Sequence, residues 1–183
     1  MTHDGRVLYW EIGTETRLDV LMVSLIGPNR TPTPLLKTTA VERNPELSPD
    51  GKWLAHGSDE NKPGVQEIFV RPFPNVDAGR VQISSGGGMY PAWHPRTGSE
   101  LFYVRPDGKL LAVPMGNGTP SGPARVVDGG FFIAPNPRSY DISPDGKRLL
   151  VIEDLTGTGG AAPSGMVVVL NWVEELRSRV NRK

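Results

Sequence analysis

The chain contains no cysteine. That absence excludes disulfides, thiolate catalysis and cysteine-based zinc sites, and it leaves the redox compartment open. No excess of either charge is present: twenty basic residues balance twenty acidic ones among 183. A balanced chain offers no overall electrostatic grip on nucleic acid or on an anionic membrane, although one face can still be charged. Long apolar runs are missing as well. The longest, Met166 to Leu170, is far short of the roughly 20 residues that cross a bilayer. The opening Met1-Thr2-His3-Asp4-Gly5-Arg6 has neither the basic nor the apolar region of a signal peptide, so a soluble chain without a membrane span is expected.

Histidine is scarce. His3, His56 and His94 stand far apart, and none belongs to a His-x-x-x-His pair suited to zinc. No Gly-x-Ser-x-Gly elbow for a hydrolase nucleophile occurs. No metal or other cofactor is therefore expected.

Glycine and proline are plentiful, 22 and 18 residues, and they are spread between short apolar stretches. That distribution suits many short strands joined by many turns. The turns repeat. Ser48-Pro49-Asp50-Gly51-Lys52 returns as Ser143-Pro144-Asp145-Gly146-Lys147, with divergent copies at His94-Pro95-Arg96-Thr97-Gly98 and Thr2-His3-Asp4-Gly5-Arg6. The steps between successive copies are 46, 46 and 49 residues. A period of about 40–50 residues with several short strands per unit is the signature of propeller blades. Proline presets the second turn position, aspartate tolerates the next, and glycine accepts positive φ.

Each full repeat reads as four strands, a to d. In the second they are 45–47, 53–56, 67–71 and 80–84. In the third they are 91–93, 101–104, 110–113 and 124–127. The fourth shows a at 140–142, b at 148–152 and c at 167–170. The first lacks a, and runs b at 7–10, c at 20–23 and d at 34–37. The expected fold is all-β: a partial propeller of about 3.5 four-stranded antiparallel blades, over 1–40, 41–86, 87–130 and 131–170. A short helix and tail follow over 171–183, with Asn171 as N-cap, Glu174 and Glu175 in the first turn, and Trp172, Leu176 and Val180 on one face.

The turns resemble those of the TolB-like propeller family. A narrower resemblance lies in Glu67-Ile68-Phe69-Val70-Arg71-Pro72-Phe73-Pro74, Ser84-Ser85-Gly86-Gly87-Gly88, Glu100-Leu101-Phe102-Tyr103, Leu111-Ala112-Val113-Pro114 and the ending Val168-Val169-Leu170-Asn171-Trp172-Val173-Glu174-Glu175-Leu176. In this order they are similar to the C-terminal propeller of bacterial receptor-like serine/threonine kinases. The resemblance implies an extracytoplasmic, periplasmic sensing or interaction domain. It does not imply that this chain is a kinase, because no glycine-rich loop, His-Arg-Asp or Asp-Phe-Gly is present. A non-catalytic protein- or ligand-binding module is expected. The alternatives are a propeller gating a prolyl-oligopeptidase-type hydrolase, and a metal-dependent propeller hydrolase.

Asp50 and Asp145 each stand alone in a turn, which favours a structural role over calcium ligation. Asp59-Glu60-Asn61 reads as a solvated connector. The glycine-rich runs 84–88 and 156–160 lack the Gly-Lys-Ser/Thr of a phosphate loop. Trp53, Phe69, Phe73, Trp93 and Tyr103 recur at core positions. Residues at or just before strand a line the central channel of a propeller. By that position Arg43, Asn44, Glu46, Met89, Tyr90, Arg138, Tyr140 and Asp141 are the candidates for contact with a protein or small ligand at the channel mouth.

The first blade lacks a and the last lacks d, so they cannot complete each other, and further blades upstream in a parent protein are expected to fill the ring. The open sheet edges of the isolated chain invite pairing with another copy. Light scattering is expected to find dimers or larger species. A monodisperse monomer with a cooperative melt is the opposing result.

Overall fold

The computed structural model describes residues 5–12, 17–28, 30–129 and 138–152; for 10–12 and 128–129 only the backbone is described. All lie in a compact unit of residues 1–153; a second unit, 154–183, falls outside the described residues. So do the strand expected over 167–170 and the helix expected over 171–180.

Every sheet is antiparallel. The first holds β1 (Arg6–Ile12), β2 (Leu18–Ser24) and β3 (Thr33–Leu36) in that order. The second holds β4 (Arg43–Leu47), β5 (Trp53–Ser58), β6 (Glu67–Pro72) and β7 (Val81–Gln82), with a single 3-10 turn at Val76–Ala78 between the last two. The third holds β8 (Met89–Trp93), β9 (Glu100–Val104) and β10 (Lys109–Gly116), and β10 also pairs β11 (Thr119–Pro120) and β12 (Arg125–Gly129). The fourth holds β13 (Tyr140–Ile142) and β14 (Leu149–Val151). Each expected strand that falls on described residues is present, within a few residues of its expected ends. The short hairpin strand β11 was not foreseen, because Thr119-Pro120 lacks an apolar alternation.

The two full copies of the repeated turn are built the same way. Ser48 Oγ donates to Asp50 Oδ1 at 2.6 Å, the Lys52 amide donates to the same oxygen at 3.2 Å, and the Trp53 amide donates to Ser48 Oγ at 3.0 Å. The Gly51 amide closes the turn on Ser48 O, with φ of 68° that glycine alone adopts freely. Ser143, Asp145 and Arg148 repeat the pattern. In the divergent copy His94 Nδ1 replaces the serine hydroxyl and accepts from the Thr97 amide at 3.4 Å. The aspartates therefore hold backbone amides. The Ser143 hydroxyl and Lys147 amide keep the Asp145 carboxyl below the usual carboxylate range.

Sheets stack face to face through three apolar layers, and strand alternation explains how one sheet serves two of them. On β9, Leu101 and Tyr103 join Ala55, Ile68, Val70 and Trp93 against the second sheet. The intervening Phe102 and Val104 join Tyr90, Leu110, Tyr140 and Ile142 against the fourth. Val20, Leu36, Leu54, Phe73 and Val76 fill the layer between the first and second sheets. Burial on both faces makes these strands read as nearly continuous apolar runs. Each fully buried Leu or Phe contributes about 1.5–3 kcal/mol.

Polar contacts brace the second sheet and reach the start of β2 through Arg17, whose Nη1 lies 3.4 Å from Asp59 Oδ2. Asp59 is buried, against its reading as part of a solvated connector. One of its oxygens accepts from the Val41 amide at 2.7 Å and the other from the Gly64 amide at 2.8 Å. Its neighbours are engaged too: Glu60 pairs with Arg71 and Arg80, and Asn61 donates to Gln82. Close by, Glu42 and His56 are wholly buried, with His56 Nδ1 2.9 Å from Glu42 Oε2. Arg71 Nε donates to His56 Nε2 at 3.1 Å, so the imidazole proton belongs on Nδ1, facing the carboxylate. Burial pushes the Glu42 carboxyl up. The hydrogen bond from His56, with those of the Thr38 and Ser58 hydroxyls, more than offsets this and holds it below the usual range.

A carboxyl with a lowered pKa confers stability above its unfolded pKa, and that stability is lost as pH falls through the folded value. Glu42→Gln is expected to cost about 2 kcal/mol at pH 7, the scale of a hydrogen bond to a charged group. Urea melts should show the loss shrinking as the medium is acidified below the ordinary carboxylate range. An equal loss at every pH would contradict an ionised Glu42.

Candidate functional site

Strands β4, β8 and β13 end their sheets on the same side, so half of their backbone groups point away from the ladder. Both β4 and β8 are bulged there, between Arg43 and Glu46 and between Met89 and Ala92. At each bulge a non-glycine residue takes positive φ immediately before a proline: Asn44 at 50° and Tyr90 at 56°. Asparagine enters this region at little cost; for tyrosine it is strained by about 1–3 kcal/mol.

The carbonyls presented by these inner strands are taken up by side chains of the following repeat. Trp93 Nε1 donates to Glu46 O at 3.2 Å. Tyr140 Oη donates to Tyr90 O at 2.6 Å, and Arg138 Nη1 donates to Pro91 O at 3.2 Å. Arg138 also donates to Tyr140 O and to Asp141 Oδ1, and its guanidinium lies 5.5 Å from the Tyr140 ring centroid. Burial pushes the Tyr140 phenol far up, so it remains a donor at any physiological pH.

Where β1, β4, β8 and the start of β13 converge, they leave a cavity of about 510 Å³. Six of the eight residues singled out from the sequence line it: Asn44, Glu46, Tyr90, Arg138, Tyr140 and Asp141. Met89 does not line it, and packs on the apolar layer between the third and fourth sheets. Arg43 also lies outside the lining. Its Nε is buried without a hydrogen bond, and its charge acts on the Tyr90 phenol, which burial pushes up.

Four lining residues escaped the sequence reading: Leu8, Tyr9, Pro45 and Pro91. The two prolines follow directly from the neighbouring positions. Tyr9 and Leu8 have a different cause. Among the described residues the first sheet has no strand inside β1, so its second-rank strand takes the innermost place. The signal was present in the missing strand a of the first repeat.

Two carboxylates and one guanidinium face the cavity. Asp141 is engaged by the Ile142 amide at 2.9 Å and by Arg138 at 3.2 Å. Glu46 is not: its one ion pair among the described residues is with Arg138 at 3.8 Å. Burial pushes the Glu46 carboxyl up and Arg138 only partly offsets it. Among the described residues no three His, Asp or Glu side chains come together as a metal site, and no helix is long and apolar enough to cross a membrane.

The sequence matches no family model and no curated protein. Among solved structures the chain is similar to a putative TolB from Agrobacterium tumefaciens, at 18% identity and a TM-score of 0.52, over 67% of this chain and 44% of that one. It is also similar to TolB from Acinetobacter baumannii, at 14% identity and a TM-score of 0.41, over 84% of this chain and 48% of that one. The chain thus spans less than half the length of either structure. The Agrobacterium likeness gives the stacked antiparallel sheets their class, a TolB-like β-propeller fold.

The raised Glu46 carboxyl has a consequence for stability. A carboxyl with a folded pKa above its unfolded value stabilises the fold fully below the unfolded pKa, and that contribution is lost as pH rises through the folded value. Glu46→Gln is therefore expected to melt at a slightly higher temperature than the parent at pH 7, with the difference closing near pH 4. A lower melting temperature at pH 7 would show that the Arg138 pair outweighs the desolvation.

Proposed function

We propose that the chain is a non-catalytic binding module that engages a protein or small ligand at the cavity between its inner strands. The observation that carries this reading is the cavity itself. Its side chains come from four sequence segments, held by bonds that fix the inner strands to one another. A preformed mouth of this kind loses little conformational entropy when a partner docks. Tyrosine and proline supply rigid apolar area, and Asn44, Glu46 and Arg138 supply directional polar groups, a composition suited to recognition.

In this reading the chain forms the C-terminal part of the sensing or interaction propeller of a larger bacterial protein, such as a receptor-like serine/threonine kinase. Its span of under half the Agrobacterium structure supports membership of a larger propeller. The edge of β1, unpaired among the described residues, then accepts a strand from the remainder of that propeller or, in isolation, from another copy.

Selection of peptides from a random library against the immobilised chain tests the mouth. Selected peptides are expected to lose at least about tenfold in affinity for Asn44→Gly or Tyr9→Ala, about 1.4 kcal/mol, and to bind Arg96→Ala, on an exposed turn, unchanged. Asn44→Gly keeps the left-handed backbone while removing the side chain. Binding that is indifferent to both mouth variants would overturn the assignment. Hydrolysis of amide or ester substrates that the mouth variants abolish would overturn its non-catalytic character.

A further inference from the structure

The charge around the cavity is not closed. Arg138 would be the natural counter-ion for both carboxylates, but each of its three nitrogens already donates to another acceptor. Nε serves Tyr140 O, Nη1 serves Pro91 O and Nη2 serves Asp141. What remains for Glu46 is the 3.8 Å contact, beyond hydrogen-bond length. An ionised carboxylate accepts about four hydrogen bonds, and no side-chain bond to Glu46 is formed among the described residues. Its side chain is 41% exposed, so it is open to an incoming group. Among the described lining residues two carboxylates face one guanidinium, one negative charge in excess.

Glu46 also borders a second cavity of about 210 Å³, which shares Arg138 and Asp141 and is otherwise walled by Trp93, Pro49 and Pro95 among others. The carboxylate thus stands at the junction of two hollows. Each hollow offers apolar and aromatic surface on which the methylene stem of a long cationic side chain packs. Tyr9 and Tyr90 line the larger one.

We infer that the junction takes a lysine or arginine side chain of a partner, with Glu46 as its counter-ion and the proline- and tyrosine-lined walls holding its stem. The inference rests on the reading of the cavity as a binding mouth, and it deepens that reading by fixing the charge of what enters. An ammonium or guanidinium supplies the donors that Glu46 lacks and neutralises the excess charge. A carboxylate or neutral group at the same place would leave Glu46 buried without a partner, the arrangement that discriminates most strongly between ligands. Arg138 stays bound to its carbonyls, so the inner strands keep their positions.

The test uses the full chain, labelled with nitrogen-15, and four blocked alanine pentapeptides carrying a central Arg, Lys, norleucine or Glu. The indole N–H of Trp93, bonded to the carbonyl of Glu46 itself, reports occupancy by its NMR shift. The Arg and Lys peptides are expected to shift it and the amides of Asn44 and Asp141 saturably. The norleucine and Glu peptides should bind at least about tenfold more weakly. Glu46→Gln is expected to erase that preference while keeping the dispersed spectrum of the parent. Added salt should weaken the Arg and Lys peptides alone.

Equal binding of all four peptides at these resonances would overturn the cationic assignment and leave the mouth as a binding surface. Absence of any shift with all four, together with library peptides that ignore Asn44→Gly, would remove both. Retention of the Arg and Lys preference in Glu46→Gln would move the counter-ion elsewhere and overturn the role of Glu46. If that variant loses its dispersed spectrum, Asp141→Asn and the four-peptide comparison on the parent chain decide the matter.

Discussion

The bonds that run from side chains of one repeat to the inner-strand carbonyls of the repeat before it are the constraint on which the site depends. Inner strands are the ends of their sheets, and backbone groups on their free side must find partners away from the ladder. Here Trp93 serves Glu46 O, Tyr140 serves Tyr90 O, and Arg138 serves Pro91 O. Each donor lies 47 or 50 residues after its acceptor, close to one repeat. The same bonds set the separation of the strands and so the width of the cavity. Losing one would leave a buried carbonyl unpaired and loosen the wall it belongs to.

The bulges give this arrangement its shape. Asn44-Pro45 and Tyr90-Pro91 bend the inner strands at equivalent points, through left-handed residues that regular strands avoid. The proline nitrogens have no hydrogen to leave unsatisfied at the bend. The strain at Tyr90 is retained because its ring is buried between the third and fourth sheets, where it packs with Phe102 and Tyr140. Local strain is thus offset by burial, and the result is a concave surface with polar atoms along its rim.

Much of the fold was legible because its signals are local. The Ser-Pro-Asp-Gly turn is read from five consecutive residues, and its period sets the succession of strands. The alternation on β9 sends Leu101 and Phe102 to different layers, which the apolar run announces without specifying. The channel-facing positions Asn44, Glu46, Tyr90, Arg138, Tyr140 and Asp141 were legible by phase, since all lie two to five residues before the start of a repeated turn. Tyr9 was not, because its place at the cavity depends on which strand is absent beside it. Nor was the Glu42–His56–Arg71 chain, whose members lie on a connection and on two different strands and carry no spacing signal. The burial of Asp59 was hidden likewise: an acidic loop sequence reads as solvated, and the amides of Val41 and Gly64 and the guanidinium of Arg17, all arriving from elsewhere, make burial tolerable.

The sequence by itself determined the period, the turns, the antiparallel strands and the absence of cysteine chemistry, because these follow from neighbouring residues and from composition. The tertiary structure alone decided which charges meet. Arg138 reaches Asp141 through three residues of chain, but it reaches Pro91 only because two sheets stack. Glu46 is left short of partners partly for the same reason: the Pro91 carbonyl takes up the Nη1 group that stands nearest to it. A carboxylate's environment is a property of everything packed around it, and residues that distant along the chain leave no local trace of the contact.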